Sequence, residues 1–323
     1  MNANRIVFMG TPPFAVASLH ALLDAGIEVA AVVTAPDRPA GRGRQPRMSA
    51  VKEFALTHPQ LREHILQPER LRDAGFLAQL DATGASLYVV VAFRMLPEVV
   101  WQRPALGTIN LHASLLPDYR GAAPINWAVI NGETRTGATT FFLRHEIDTG
   151  DVIDRVDVAI GPEETAGELH DRLMVAGAEL LVRTVRSILT GQASRTPQAA
   201  LEGQLHHAPK LDPTNCRIDP RRSVGAVHDL VRGLSPVPGA WMPLAQGPAP
   251  AIHFKVLGAR VHDHLTNDAP GTVCVEGGAL LLQCADGRLR LEDVHPEGRK
   301  RMPAQAFVNG LRTTDGLHTE LPG

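Results

Sequence analysis

The sequence predicts an α/β fold followed by a smaller β-rich domain, and three observations carry that prediction. Apolar runs at residues 6–9, 29–33 and 87–92 are continuous, as in parallel strands covered on both faces. Helical periodicity separates the early runs, so strands and helices alternate. Beyond residue 250 the pattern changes to closely spaced strands, with Gly277-Gly278 and Asp286-Gly287 placed as hairpin turns between neighbours. A length of 323 residues suits two domains at roughly 100–200 residues each.

The elements follow in order. Ile6-Val7-Phe8-Met9 is the first strand, and Gly10-Thr11-Pro12 turns it into a helix with Thr11 as N-cap and Pro12 in the first turn. Val16, Leu19, Leu22 and Leu23 share one face of that helix, and Gly26 stops it. Residues 109–112 and 139–143 are further strands. Thr165-Ala166-Gly167-Glu168 is a capping box opening a long helix with a buried stripe of Leu169, Leu173, Ala176, Leu180 and Ile188, ending near Gly191. Residues 192–208 lose apolar periodicity and read as a linker between a domain at 1–191 and another at 209–323. In the second domain Val224, Val227, His228 and Val231 form a helix capped by Ser223. Strands at 252–257, 272–275, 279–284 and 289–294 precede a short closing helix at 303–308 stopped by Gly310, the pattern of a compact barrel.

Composition excludes several classes. Hydrophobic residues are 44% and charged residues 20%, which fits packed cores rather than disorder or coiled coil. Lys plus Arg total 32 against 34 Asp plus Glu, a net charge of −2, so any nucleic-acid contact needs a local patch. Cys216, Cys274 and Cys284 lack C-x-x-C spacing and point to a reducing, cytoplasmic setting. The longest apolar run, residues 87–93, falls short of the ~18 residues of a membrane span. Residues 1–5 lack the apolar core of a signal peptide.

Polar chemistry concentrates at Asn110-Leu111-His112-Ala113-Ser114-Leu115-Leu116-Pro117. Side chains alternate along a strand, so Asn110 and His112 project to one face. An amide donor and an imidazole there can polarise and protonate a carbonyl under attack. Downstream, Glu146-Ile147-Asp148-Thr149-Gly150-Asp151 puts Asp148 in a turn after a strand, where a carboxylate facing the imidazole fixes its tautomer. The same spacing also fits a satisfied structural pair and an ordinary turn. A metal set of His112, His145, Asp148 and Asp151 is a weaker alternative, because no helix presents the i, i+4 histidines of a zinc hydrolase. Gly10-Thr11-Pro12-Pro13 lacks the glycines of a dinucleotide fingerprint, which disfavours a nicotinamide cofactor. Residues 35–52 carry five basic residues (Arg38, Arg42, Arg44, Arg47, Lys52) against Asp37, a net +4. Their three prolines and two glycines predict a mobile loop without regular structure, read either as solvated surface or as a phosphate contact. The second domain has 13 basic and 12 acidic residues from residue 209 onward, with Arg299-Lys300-Arg301 its densest cluster.

Together these segments resemble the methionyl-tRNA formyltransferase family. The matching stretches are Val7-Phe8-Met9-Gly10-Thr11-Pro12, Thr34-Ala35-Pro36-Asp37-Arg38-Pro39-Ala40-Gly41-Arg42-Gly43, Val89-Val90-Val91-Ala92, residues 109–117 and Asp148-Thr149-Gly150-Asp151. Ala208-Pro209-Lys210, Pro238-Gly239-Ala240-Trp241 and Gly298-Arg299-Lys300-Arg301-Met302 extend the match through both domains. The resemblance implies a Rossmann-like formyltransferase domain followed by an open-barrel, OB-like domain that binds tRNA. It implies a cytoplasmic enzyme, a monomer needing no metal, that uses 10-formyltetrahydrofolate and initiator methionyl-tRNA. Asn110, His112 and Asp148 fall on the family's catalytic positions. Ser114, Leu115, Leu116, Pro117 and Phe93 fall on its folate-binding positions. Arg38, Arg42, Arg44, Lys210, Arg299, Lys300 and Arg301 fall on tRNA-binding segments. Asp118, Arg94 and Pro220 depart from the family pattern, and none is a catalytic position.

Overall fold

The computed structural model describes residues 4–40, 45–200, 205–264 and 268–322. They form two compact units. The first draws on Met1–Arg120, Gly137–Val158 and Asp171–His206, and the second on Gly121–Thr136, Ala159–His170 and His207–Gly323.

The first unit is built on a seven-stranded sheet. Its main elements are β1 (Arg5–Gly10), α1 (Pro13–Asp24), β2 (Glu28–Val33), β3 (Leu87–Val91), β4 (Thr108–His112), β5 (Arg135–Phe142), β6 (Val152–Ala159) and α2 (Ala166–Leu189). The order is β6-β5-β4-β3-β1-β2, with Ile65–Leu66 at the far edge. β1 runs parallel to β2 and β3, and β3 parallel to β4. Ile6, Val7, Phe8 and Met9 are all fully buried, which explains their unbroken apolar run. Burying each such side chain stabilises the fold by about 1.5–3 kcal/mol.

Local details depart from the sequence expectations. α1 has Pro12, not Thr11, as its N-cap and starts at Pro13; the first helical position asks for no N–H, which suits proline. Phe14, Ala15 and Ser18 join Leu19 and Leu22 on its buried face, while Val16 and Leu23 are half-buried. β5 begins earlier than expected and runs antiparallel to β4, pairing His112 with Thr139. The basic segment is not irregular: Arg38–Ala40 pairs antiparallel with Gln45–Arg47, and a helix follows at Ala50–Leu56, capped by the Ser49 hydroxyl. Pro39 lies opposite Pro46, and two residues without N–H groups are compatible at a pair that exchanges no ladder bonds. The capping box holds, with Thr165 and Glu168 bonding each other's backbone N–H groups.

The second unit contains α3 (Val224–Leu234), β7 (Ala240–Gln246), β8 (Ile252–Asp263), β9 (Val273–Glu276), β10 (Ala279–Gln283), β11 (Arg288–Pro296), α4 (Ala304–Asn309) and β12 (Leu317–Thr319). Its sheet runs β9-β10-β11-β8-β7-β12. A bridge between Thr272 and His318 joins the two edges, so the sheet is nearly closed into a barrel, which removes its unpaired rims. Gly277 (φ 54°) and Gly278 (φ 83°) both take positive φ in the β9–β10 turn, as a two-residue I′ hairpin demands. Met242, Phe254, Val256, Leu282, Leu289 and Val294 fill the barrel, and α3 adds Val227, Val231 and Leu234. β7 escaped the sequence reading because Pro243 interrupts its apolar run. β12 pairs only from Leu244 onward, so Pro243 meets a ladder on one side alone.

Candidate functional site

β4 delivers Asn110 and His112 at the carboxyl end of a parallel strand, where open α/β sheets present their ligand sites. The Asn110 side chain is half-buried and has no hydrogen-bond partner among the described residues. His112 is only 6% exposed. Its Nε2 lies 2.9 Å from the carbonyl oxygen of Tyr119. A carbonyl can only accept, so Nε2 carries the proton and donates. Nδ1 is turned to Asp148, with Oδ2 at 3.8 Å. In the doubly protonated ring both N–H groups therefore face oxygen acceptors. In the neutral ring Nδ1 is the basic atom.

The turn carrying Asp148 is shaped by its neighbours. Asp148 sits at φ 53° and Tyr119 at φ 57°, left-handed conformations that cost a non-glycine residue about 1–2 kcal/mol. Gly150 closes the turn against the end of β5, where a Cβ would lie 1.6 Å from the Phe142 carbonyl oxygen. Only glycine fits. The Asp151 carbonyl accepts from Phe142 N at 3.0 Å, and its carboxylate receives Arg144 at 2.7 Å.

The segment read as a linker contributes to this site. Thr196 bridges Val152 through two 2.8 Å backbone bonds. The Gln198 side chain, 4% exposed, donates from Nε2 to the carbonyls of Asp148 and Gly150, both at 2.8 Å. Its Oε1 accepts from Arg120 Nε and Nη2, at 3.1 and 2.5 Å. Sequence reasoning missed Gln198 because it lies some fifty residues from its partners; its one signal is Pro197-Gln198 in a polar stretch.

The remaining candidates are placed as follows. Ser114, Leu116 and Pro117 are buried and Leu115 is half-buried. The Thr139 hydroxyl donates to Ser114 O (2.6 Å) and accepts from Leu116 N (3.1 Å), fixing that stretch to β5. Ser114 and Leu116 are both fully buried. Phe93 is half-buried against the core beside β3, with the Arg94 guanidinium 5.7 Å from its ring centre. Arg94 bonds the carbonyls of Pro68 and Glu69, and burial lowers its pKa. Asp118 accepts from Tyr119 N (3.1 Å) and His206 N (2.7 Å), a structural use of that departure. The metal set is not assembled: His145 is exposed and turned to Glu98 at 3.8 Å, while Asp151 is taken by Arg144.

Among the basic candidates, Arg42 and Arg44 lie outside the described residues. Arg38 stands directly opposite Arg47 in the hairpin, both exposed and neither ion-paired among the described residues. Facing like charges repel, so the pair favours an anion. Lys52 is spent locally on Asp37 (2.6 Å), whose carboxyl is held below its ordinary range by the Lys52 and Gln67 hydrogen bonds. Lys210, Arg299, Lys300 and Arg301 are exposed in the second unit. Arg301 pairs with Asp293, whereas Lys300 has no ion pair among the described residues.

Comparison with known proteins gives a consistent result. The formyl transferase family matches residues 4–185, and the formyl transferase C-terminal domain matches residues 210–312. Methionyl-tRNA formyltransferase of Bacteroides fragilis is 46% identical over 316 residues, 97% of each chain. Its counterpart in Bacteroides thetaiotaomicron is 45% identical over 315 residues, again 97% of each. Among solved structures, HypX from Aquifex aeolicus in complex with tetrahydrofolic acid aligns with a TM-score of 0.62 at 17% identity. That alignment covers 96% of this chain and 47% of HypX, so the chain spans about half of that protein. At such identity the likeness concerns the fold.

Proposed function

Because this chain belongs to the methionyl-tRNA formyltransferase family, we propose that it transfers the formyl group of 10-formyltetrahydrofolate to the α-amine of initiator methionyl-tRNA, with Asn110, His112 and Asp148 as its catalytic residues. The observation that carries the reading is that one strand presents a tautomer-fixed imidazole, turned to a carboxylate from a distant turn, together with an amide that has no partner among the described residues.

Their roles follow from the geometry. Asn110 donates to the formyl oxygen as the amine nitrogen attacks the carbon and negative charge collects there. Losing one such donor typically raises the barrier by about 2.7–4 kcal/mol. Nε2 of His112 is occupied by Tyr119, so Nδ1 is the atom that handles the amine proton, with Asp148 balancing the imidazolium. That proton returns to the departing N10 nitrogen as the old C–N bond breaks and the carbonyl re-forms. Every step is accounted for by amide, imidazole and carboxylate, so the reaction is written without a metal.

The exposed Arg38 and Arg47 support tRNA backbone contact by the hairpin and the adjoining Arg42 and Arg44, with Lys210, Arg299, Lys300 and Arg301 as contacts from the other domain. Ser114, Leu115, Leu116, Pro117 and Phe93 border the folate. The domain division is 1–191, 192–208 and 209–323, supported by the two family matches on either side of the linker. The enzyme works as a cytoplasmic monomer. A panel of acceptors with 10-formyltetrahydrofolate tests this: charged initiator tRNA should be formylated, and free methionine and amino sugars should not. Equal rates with an amino sugar and no tRNA would overturn it.

A further inference from the structure

We propose that Gln198 is a positioning residue for the His112–Asp148 pair, an inference resting on the catalytic assignment of that pair. Its amide is fully used: two carbonyls accept from Nε2 and one guanidinium donates to Oε1. Glutamine alone among residues of that length offers two donors and an acceptor on one planar head. Glutamate would set oxygen against two carbonyls, and lysine would leave Arg120 without its acceptor.

The two ends of this bridge lie beside the catalytic pair. At one end, the Asp148 and Gly150 carbonyls are held on either side of Thr149, which fixes a turn whose first residue has left-handed backbone. At the other, Arg120 follows Tyr119, also left-handed, whose carbonyl holds Nε2 of His112. Gln198 thereby ties the residue that orients the imidazole to the turn that supplies the carboxylate, and so holds the 3.8 Å separation between Nδ1 and Oδ2. Its own place is secured by the Thr196–Val152 bridge and by Arg195, which lies 4.0 Å over the Phe142 ring. The buried Gln198, which lies between the two family matches, is thus part of the active-site framework.

The test is a double-mutant cycle in the full chain, using steady-state formylation of charged initiator tRNA. Gln198→Glu should lower kcat about 10–100-fold while both KM values stay within about threefold. In an Asp148→Ala background the same substitution should change the residual rate less than about threefold, because the residue acts through Asp148. Gln198→Met, neutral and of similar length, is measured alongside, with near-UV circular dichroism reporting its fold, and should give the same pattern. Wild-type kcat in a folded Gln198→Met protein, or an equal loss in both backgrounds, overturns the positioning role. Wild-type turnover in Asp148→Ala instead removes the catalytic assignment and this role with it.

Discussion

Replacing Gly150 by alanine tests whether the turn's position governs the chemistry. The new Cβ would stand 1.6 Å from the Phe142 carbonyl oxygen, where real Cβ atoms essentially never come within 3.0 Å. The contacting atom is backbone at the end of β5, so the turn must give way, by the 1.4 Å difference between those distances. That displacement breaks three bonds together, the two from Gln198 and the one between Phe142 N and Asp151 O. At a net ~1 kcal/mol each, the stability loss is about 3 kcal/mol, within the 5–15 kcal/mol typical of a domain. Gly150→Ala is therefore expected to fold. Its catalytic loss should be larger, because a misplacement of about 1 Å can cost about 10²-fold. Single-turnover formylation, with urea denaturation on the same samples, separates the two effects. A folded Gly150→Ala protein turning over at the wild-type rate would show that the carboxylate need not be held where this turn holds it.

Other substitutions probe separate parts of the molecule. Asn110→Ala should lower kcat about 10²–10³-fold with little change in KM, and a loss confined to KM would assign the amide to substrate binding instead. Arg38→Ala and Arg47→Ala should each flatten the plot of log kcat/KM against log salt by about one unit, as should Arg42→Ala. Lys52→Ala, whose charge is already met by Asp37, should leave that slope nearly unchanged. Gly225 lies exposed in α3 and a Cβ there meets nothing within 4 Å, so Gly225→Ala should stabilise the protein by about 0.5–1 kcal/mol; a lower melting temperature would contradict it. Burial, aided by Asp286, pushes the Cys284 thiol from 9.0 up to about 12. The unfolded thiol ionises first, so its contribution is intact below pH 9 and is lost as pH rises towards 12, at about 1.4 kcal/mol per unit. The stability gap between wild type and Cys284→Ala should shift against the wild type between pH 8 and pH 10.5, and a constant gap would refute the burial argument.

The parts of the fold legible in the sequence were those specified locally. A parallel strand covered on both faces is apolar throughout, so residues 6–9 and 87–91 announced themselves. The capping box at Thr165 and the turn at Gly277-Gly278 depend on residues a few positions apart, and both form as expected. Failures came where a neighbour far along the chain decides the outcome. Pro243 argues against a strand until one knows that its second partner begins only at Leu244. The prolines at 39 and 46 argue against pairing until they are seen to face each other. Thr11 was a good cap by type, but Pro12 and Pro13 together settle where the chain enters the helix.

The site divides in the same way. Asn110 and His112 share a strand, so their common face follows from alternation alone, whereas Asp148 could be joined to them only by chemical expectation and resemblance. What no local pattern could reveal is how the pair is held. Tyr119 engages Nε2 through a backbone carbonyl, which no side-chain identity records, and Gln198 reaches Asp148 across fifty positions. This has a consequence for the proton path. With sequence alone, either imidazole nitrogen could serve the substrate; with Nε2 committed to a carbonyl, Nδ1 is left as the proton-handling atom, and it is the atom facing the carboxylate. The amide of Asn110, without a protein partner among the described residues, is then the donor available to an oxyanion. Proton handling and charge stabilisation thus fall to different side chains on one strand face, and substitutions at Asn110 and His112 should differ in how their effects respond to acceptor basicity.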